Sequence, residues 1–380
     1  MGNPLRTALI ALGLIPGLAL ADGEAERIER LEAQNAELVE RIDALAEALE
    51  SGQAGGSALP HAGTGGVMVG GYGSMKYENL ESGKQMDFHR FVLYFGKQFT
   101  DRIRFESEVE LEHSIAGDGQ PGAIELEQAY LAFDLGADST LATGMILTPV
   151  GIVNETHEPT TFYGVYRPAV EKYIIPTTWY EGGALLSRRL AGGWQVDVAA
   201  HTGLSVDPAK NYAVRGGRER VAKAPASDLA FTGRVKWTGM PGVELAATVQ
   251  RQSDITQGSD PTAGAATFWT AHAIVQRGPF GVRALAAEWR LDGAGPRAVG
   301  ADRQRGWYVE PAFKPLESVG LFVRYETWNN RAGDNGTDDL RQGNIGVNYW
   351  PHPDVVFKAE YRNRTGSDDD GFLLGLGYRL

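Results

Sequence analysis

Between residues 102 and 112 the chain reads Arg-Ile-Arg-Phe-Glu-Ser-Glu-Val-Glu-Leu-Glu. Arg102, Arg104, Glu106, Glu108, Glu110 and Glu112 share one parity, while Ile103, Phe105, Val109 and Leu111 share the other. The same alternation elsewhere gathers Arg90, Arg234, Lys236, Arg290, Lys314, Arg324, Lys358, Arg362 and Arg364 on polar faces, with Glu244, Glu288, Glu310, Glu326 and Glu360 opposing them. A row of guanidinium and ammonium groups facing water can pass anions between weak sites, because the guanidinium fork matches phosphate oxygens. Four glutamates in one segment argue against a purely basic wall. Two other arrangements stay open: a transverse field, basic on one wall and acidic on the other, or charges that pair and only keep the surface wet.

No reaction centre is assembled. The chain has no G-x-S-x-G, no H-E-x-x-H and no phosphate-cradling glycine loop between strand and helix. His113-Ser114 and His201-Thr202 are neighbours of the kind a base and nucleophile require, but adjacent strand residues point to opposite faces. Glu155, His157 and Glu158 could ligate a metal, yet no second histidine stands at helical spacing, and a loop histidine beside acids is expected to be solvated. Neither enzymatic activity, nor a metal, nor a cofactor is expected.

The elements that must position these charges follow from the period of two. Alternation gives every strand one apolar and one polar face. Sixteen such runs occur, at about 66–80, 85–100, 102–116, 123–135, 140–151, 179–190, 194–206, 228–240, 243–254, 265–278, 281–293, 305–316, 319–331, 340–352, 355–366 and 371–380. Tight turns such as Ala191–Gly193, Pro241-Gly242 and Pro353-Asp354 alternate with longer loops, notably 152–178, 207–227, 255–264, 294–304 and 332–339. An even strand number with one trimmed and one decorated end marks an outer-membrane barrel. A sixteen-stranded lumen is too wide to fill with side chains, so the charged faces are expected inside and the apolar faces towards lipid. All eight tryptophans fall in the outer thirds of the runs, where interfacial girdles belong. Phe372, Leu374, Leu376, Tyr378 and Leu380 alternate to the carboxyl terminus, as the last strand of such a barrel does, although Leu380 replaces the usual terminal Phe.

Composition agrees. In 380 residues, 36 Lys and Arg face 48 Asp and Glu, a net charge of −12, with 43% hydrophobic residues and no cysteine. The charge excludes a nucleic-acid partner and the missing cysteine excludes a disulfide scaffold. Residues 1–21 have a positive start, an apolar stretch and Ala19-Leu20-Ala21, the pattern of a secretory signal. In 22–51, Ile28, Leu31, Asn35, Leu38, Ile42, Leu45 and Leu49 follow heptad spacing, which predicts a short periplasmic coiled coil. Residues 52–65 are a Gly/Ser-rich linker and 66–380 the barrel. The expected fold is thus an all-β transmembrane barrel, sixteen-stranded and antiparallel, preceded by a short α-helical coiled coil.

The segments Gly144-Met-Ile-Leu-Thr-Pro-Val-Gly151, Asn154-Glu-Thr-His-Glu-Pro159, Glu171 and Ile174-Ile-Pro-Thr-Thr-Trp179 resemble the phosphate-selective porin O/P family, over roughly residues 66–380. The resemblance implies a trimeric barrel whose third extracellular loop folds inward. That constriction loop would be 152–178, carrying His157, Glu158, Arg167, Glu171 and Lys172 with Tyr163, Tyr166 and Tyr173. The chain departs from the phosphate-selective members in mixing glutamates with its basic residues. Loop 207–227, with Lys210, Arg215, Arg218, Arg220 and Lys223, is expected to gather anions at the mouth, or to touch a neighbouring subunit or lipopolysaccharide phosphates. The expected function is passive diffusion of small hydrophilic, charged solutes, inorganic anions and phosphate included, across the Gram-negative outer membrane. The alternative is a structural protein that tethers the envelope through its coiled coil.

Overall fold

The computed structural model describes residues 66–367 and 369–380. The secretory signal, coiled coil and linker expected within 1–65 lie outside the described residues. From Val67 onward, β-branched and aromatic residues alternating with polar ones form sixteen strands. These are β1 (Val67–Leu80), β2 (Gly83–Thr100), β3 (Ile103–Glu112), β4 (Ile124–Gly136), β5 (Ser139–Leu147), β6 (Tyr180–Leu190), β7 (Trp194–His201) and β8 (Ala230–Met240). Then follow β9 (Val243–Gln252), β10 (Ala263–Arg277), β11 (Phe280–Gly293), β12 (Arg303–Leu316), β13 (Val319–Asn329), β14 (Leu340–His352), β15 (Val355–Arg364) and β16 (Gly371–Arg379). Each pairs antiparallel with its sequence neighbours, and β1 closes the ring on β16, from Tyr72 opposite Arg379 to Leu80 opposite Gly371. Closure leaves no unpaired sheet edge.

Burial tells the two faces apart. Phe231, Val249, Ile345, Phe357, Phe372 and Leu374 are exposed, whereas Thr232, Gln250, Asn344, Lys358 and Leu373 beside them are buried. Exposed apolar side chains therefore form the outer wall, and most buried polar ones point inward. What buries the inner face is the segment between β5 and β6. Residues 148–179 touch β2, β3, β4, β8, β11, β13 and β15, strands spread around the whole ring. Only a segment inside the barrel can reach all of them.

One side of this inward loop is apolar. Val150, Ile152, Val153, Val170, Ile174, Ile175 and Trp179 pack with Phe268, Leu285, Ala287, Trp289, Leu291, Tyr308 and Trp328 of β10–β13. The lumen is therefore not uniformly wet. Its β10–β13 sector is a dry core, against the expectation of a charged inner face on every strand. The tryptophans divide accordingly. Trp194, Trp237, Trp269 and Trp307 face outward, but Trp179, Trp289, Trp328 and Trp350 face inward, so the expectation of eight girdle residues fails for half of them. Trp289 even donates its indole N–H to the Ile174 carbonyl at 2.9 Å.

Close approach of the loop demands bare backbone on the wall. A Cβ on Gly377 of β16 would lie 2.5 Å from the Pro159 ring, and one on Gly320 of β13 would lie 2.7 Å from the Tyr163 ring. Gly377→Val should overpack this contact, a change that typically costs about 1–3 kcal/mol. A lowered unfolding temperature together with a larger single-channel conductance, as the loop is pushed off the wall, is the expected outcome. Unchanged values of both would contradict the contact.

Candidate functional site

A loop inside a barrel carries peptide groups that water no longer serves, and each needs a partner. The strands supply them with ionised side chains. Arg90 of β2 donates to the His157 carbonyl at 2.9 Å, and Arg283 of β11 donates to that of Thr161 at 2.9 Å. Lys358 of β15 donates to the carbonyls of Phe162 (2.9 Å) and Gly164 (2.8 Å). Arg324 of β13 donates to those of Tyr163 and Tyr166, at 3.5 and 3.3 Å. Carboxylates serve the opposite need: Glu360 accepts from the Val165 N–H at 2.7 Å, and Glu326 accepts from those of Ala169 and Val170. Glu310 completes the arrangement by pairing with Arg324 at 2.9 Å.

The loop also ties its own base. Asn154 donates to the carbonyls of Thr148 (2.8 Å) and Trp179 (2.9 Å) and accepts from the Trp179 N–H at 2.7 Å. Glu171, on the single turn α1 (Val170–Tyr173), accepts from the N–H groups of Ile152 and Val153 and from the Tyr308 hydroxyl. Burial outweighs these three donors and leaves its pKa raised. Loop 202–229 caps the assembly. Arg215 donates to the carbonyls of Lys172 and Thr177, and Arg218 donates to that of Thr178.

Space remains on the side opposite the dry core. A cavity of about 240 Å³ lies between β1–β4, β15, β16 and the two loops. Eight Lys and Arg residues line it against four glutamates. Lys76, Arg167, Lys172, Arg215 and Arg218 face it with no carboxylate hydrogen-bonded to them in the contacts above, while Arg220 is paired with Glu125. Burial and the surrounding cations Arg215 and Arg167 lower the pKa of Lys172 to about 8. Burial, with Arg90, likewise pulls Arg167 down, although a guanidinium keeps its charge across the ordinary pH range.

The expected site residues divide three ways. Arg90, Arg234, Glu310, Arg324, Lys358 and Arg362 do face inward, but as anchors: Arg234 is held by Asp197 and Glu155, and Arg362 donates to the Asp369 carbonyl. Glu106, Glu108 and Glu110 also face inward without forming an acidic wall. Glu106 is engaged by Arg104 and Tyr130, Glu108 by Tyr72 and Gln128, and Glu110 by Arg90. Lys236 shares the inward parity of Arg234. Two expectations are overturned. Arg102 sits exposed in the tight turn before β3, because the strand begins one residue later at Ile103. Arg290 points outward with Glu288, since Trp289 and Leu291 between and beyond them are turned into the dry core.

Within the loop, Arg167 and Lys172 reach the cavity, whereas Glu171 is a buried knot rather than a pore group. Glu158 and His157 are buried at 6% and 2% exposure, which corrects the expectation of a solvated histidine. His157 lies 3.4 Å from both Glu108 and Glu127. Burial opposes its charge, but the two carboxylates prevail and lift the imidazole to about 10. Of the basic residues of loop 207–227, Arg215 and Arg218 bind the inward loop and Arg220 pairs with Glu125, while Lys210 stays exposed. Lys76, Glu127, Tyr72 and Arg283 escaped notice in the sequence. The first two stand beside register shifts of β1/β2 and β3/β4, where parity counting breaks.

Among the described residues, two groups bring together three possible metal ligands: Glu108, Glu127 and His157, and Asp87, His89 and His113. In the first, a protonated imidazole between two carboxylates accounts for the geometry. In the second, the Nδ1 of His113 lies 2.9 Å from Asp87. His113 and Ser114 are turn residues with left-handed backbone rather than strand neighbours.

Residues 64–370 match the family model of phosphate-selective porin O and P. An uncharacterised protein of Aquifex aeolicus is 30% identical over 335 residues, covering 78% of this chain and 75% of that protein. The fold resembles that of OmpT from Vibrio cholerae in its trimer form (12% identity, 83% and 100% of the chains covered, TM-score 0.56). It also resembles an anion-selective porin from Comamonas acidovorans (10% identity, 83% and 98% covered, TM-score 0.54).

Arg324→Met should leave Glu310 and Glu326 buried without their cation. Breaking a buried ion pair from one side costs about 3–5 kcal/mol, and a lower thermal unfolding midpoint of the detergent-solubilised barrel is the expected result. A midpoint equal to wild type would show that Arg324 does not hold the loop.

Proposed function

The chain belongs to the phosphate-selective porin O and P family, and from that footing we propose that this outer-membrane channel passes small inorganic anions, phosphate among them, along the basic side of its lumen. The observation that carries the reading is the cavity between the inward loop and β1–β4, where eight cations outnumber four glutamates and three of those glutamates already have partners. A lining of cations without a dehydrating cage binds anions weakly enough to release them, which conduction requires. Arg167 and Lys172, on the loop itself, stand where a solute must pass, and Arg215 and Arg218 add field from the second loop. Phosphate suits guanidinium geometry best, through paired N–H donors.

Homotrimers are part of the proposal. One of the proteins sharing this fold is described in a trimer form, and outward residues Leu111, Ile124 and Leu126 at the loop end of β3 and β4 offer an apolar face of the kind subunits share. Small ions enter from the loop end and leave past the short turns, which face the periplasm in outer-membrane barrels.

With purified protein in planar bilayers under a potassium chloride gradient, the reversal potential should carry the sign of an anion-preferring channel. Arg167→Met combined with Lys172→Met should move it towards zero; a cation-preferring wild type would end the proposal. The preference should also weaken between pH 7 and pH 9. Lys172 is charged below about 8 and neutral above it, so raising the pH removes one positive charge from the passage. Lys172→Met should reduce that step while keeping the rest of the profile.

A further inference from the structure

The outward turn of Arg290 opens a second surface. Its direct cross-strand partners form a single row: Arg251 of β9 opposite Thr267 of β10, Thr267 opposite Arg290 of β11, and Arg290 opposite Arg303 of β12. Three strand spacings make this row about 14 Å wide. Arg305 stands two residues from Arg303 on the same face, and Arg341 of β14 continues it opposite Thr327. The side chains of Arg251, Arg290, Arg303 and Arg305 are 57%, 69%, 42% and 45% exposed. Adjoining them on the outer wall are Trp269 and Trp307, then Val249, Val309, Val323 and Ile345, all exposed.

A charge on a barrel's lipid-facing wall is costly at hydrocarbon depth and nearly free at the interface, where aromatic girdles lie. Five arginines above two tryptophans therefore mark the level of the outer-leaflet headgroups. Glu288, Asp292 and Asp339 pair with some of them, at 2.7–2.8, 3.7 and 3.8 Å. The Arg251–Asp292 and Arg305–Asp339 pairs are exposed on both sides and contribute little, so a stronger anion displaces those two carboxylates. Glu288 is buried between Arg290 and Arg303, and sets the spacing of the two guanidinium groups while they stay 69% and 42% exposed. The corresponding end of β3 and β4 presents Leu111, Ile124 and Leu126 instead, which separates a face suited to protein from one suited to anionic lipid.

We propose that the outward arginine row of β9–β14 is a docking site for the phosphorylated sugar headgroup of an outer-leaflet glycolipid. Guanidinium groups spaced along adjacent strands can each grip a phosphate through two N–H donors, and a rigid sheet holds them in place without ordering cost at binding. The proposal rests on the membrane placement of the barrel and not on what the lumen carries.

The test uses the full chain purified from outer membranes in mild detergent. Wild-type protein should retain glycolipid in native mass spectra and, after delipidation, rebind diphosphorylated lipid A at least tenfold more tightly than its dephosphorylated form. Arg290→Glu with Arg303→Glu should lose that difference at least tenfold while keeping the wild-type conductance and subunit number. Arg290→Gln with Arg303→Gln serves if the charge reversal does not fold. Equal binding of both lipid forms by the wild type would overturn the proposal, as would undiminished preference in the variants. Dissociation of the oligomer in the variants would overturn it too, by assigning the row to an interface between copies. Inorganic phosphate failing to compete at millimolar concentration, while lipid A competes, is expected if the headgroup is the ligand; the reverse would sink it.

Discussion

The structure depends on one exchange: peptide groups of the inward loop, cut off from bulk water, are satisfied by charged side chains of the wall. Nine backbone atoms between His157 and Val170 find partners on Arg90, Arg283, Arg324, Lys358, Glu326 and Glu360. A buried charge is tolerated only when paired and hydrogen-bonded, and a buried peptide group only when partnered. Each requirement here answers the other. The loop's remaining surface is apolar and finds the inward aromatics of β10–β13, so a single segment needs a polar wall on one side and a dry one on the other. The asymmetry of the lumen follows from that.

Period two in the sequence carried the barrel almost completely. Strands such as Val243–Gln252 and Val355–Arg364 begin where alternation begins, and the exposed Phe357, Phe372 and Leu374 lie on the expected lipid side. The failures have local physical reasons. Alternation at Glu288-Trp289-Arg290 is intact, but polarity alone assigns the polar residue to the inside, and at this height the inside is dry and the outside is charged. Lys76 and Glu127 lie beside register shifts, and one extra residue reverses which face a side chain takes. For 194–206 the alternating pattern overran the strand, which stops at His201 where Gly203 takes a left-handed turn.

The candidate site was legible in composition and not in role. The sequence places Arg324, Lys358 and Glu310 on inward faces, yet only three-dimensional packing reveals that Arg324 and Lys358 are spent on a loop more than 150 residues away in sequence, with Glu310 pairing Arg324. The run of glutamates on β3 looked like an obstacle to anions. It is instead occupied by Arg104, Tyr130, Tyr72, Gln128 and Arg90, pairings that cross from strand to strand and carry no one-dimensional signature.

Many of the barrel's cations are consumed as pegs, and four of the remaining ones at the cavity stand on two loops, not on the staves. Arg167 and Lys172 ride on one, Arg215 and Arg218 on the other, and the first is gripped chiefly through main-chain atoms that any replacement residue would also offer. Such a cylinder is a socket. Side chains at positions 157–170 whose main chain alone is gripped can be exchanged without removing a peg from the sixteen staves.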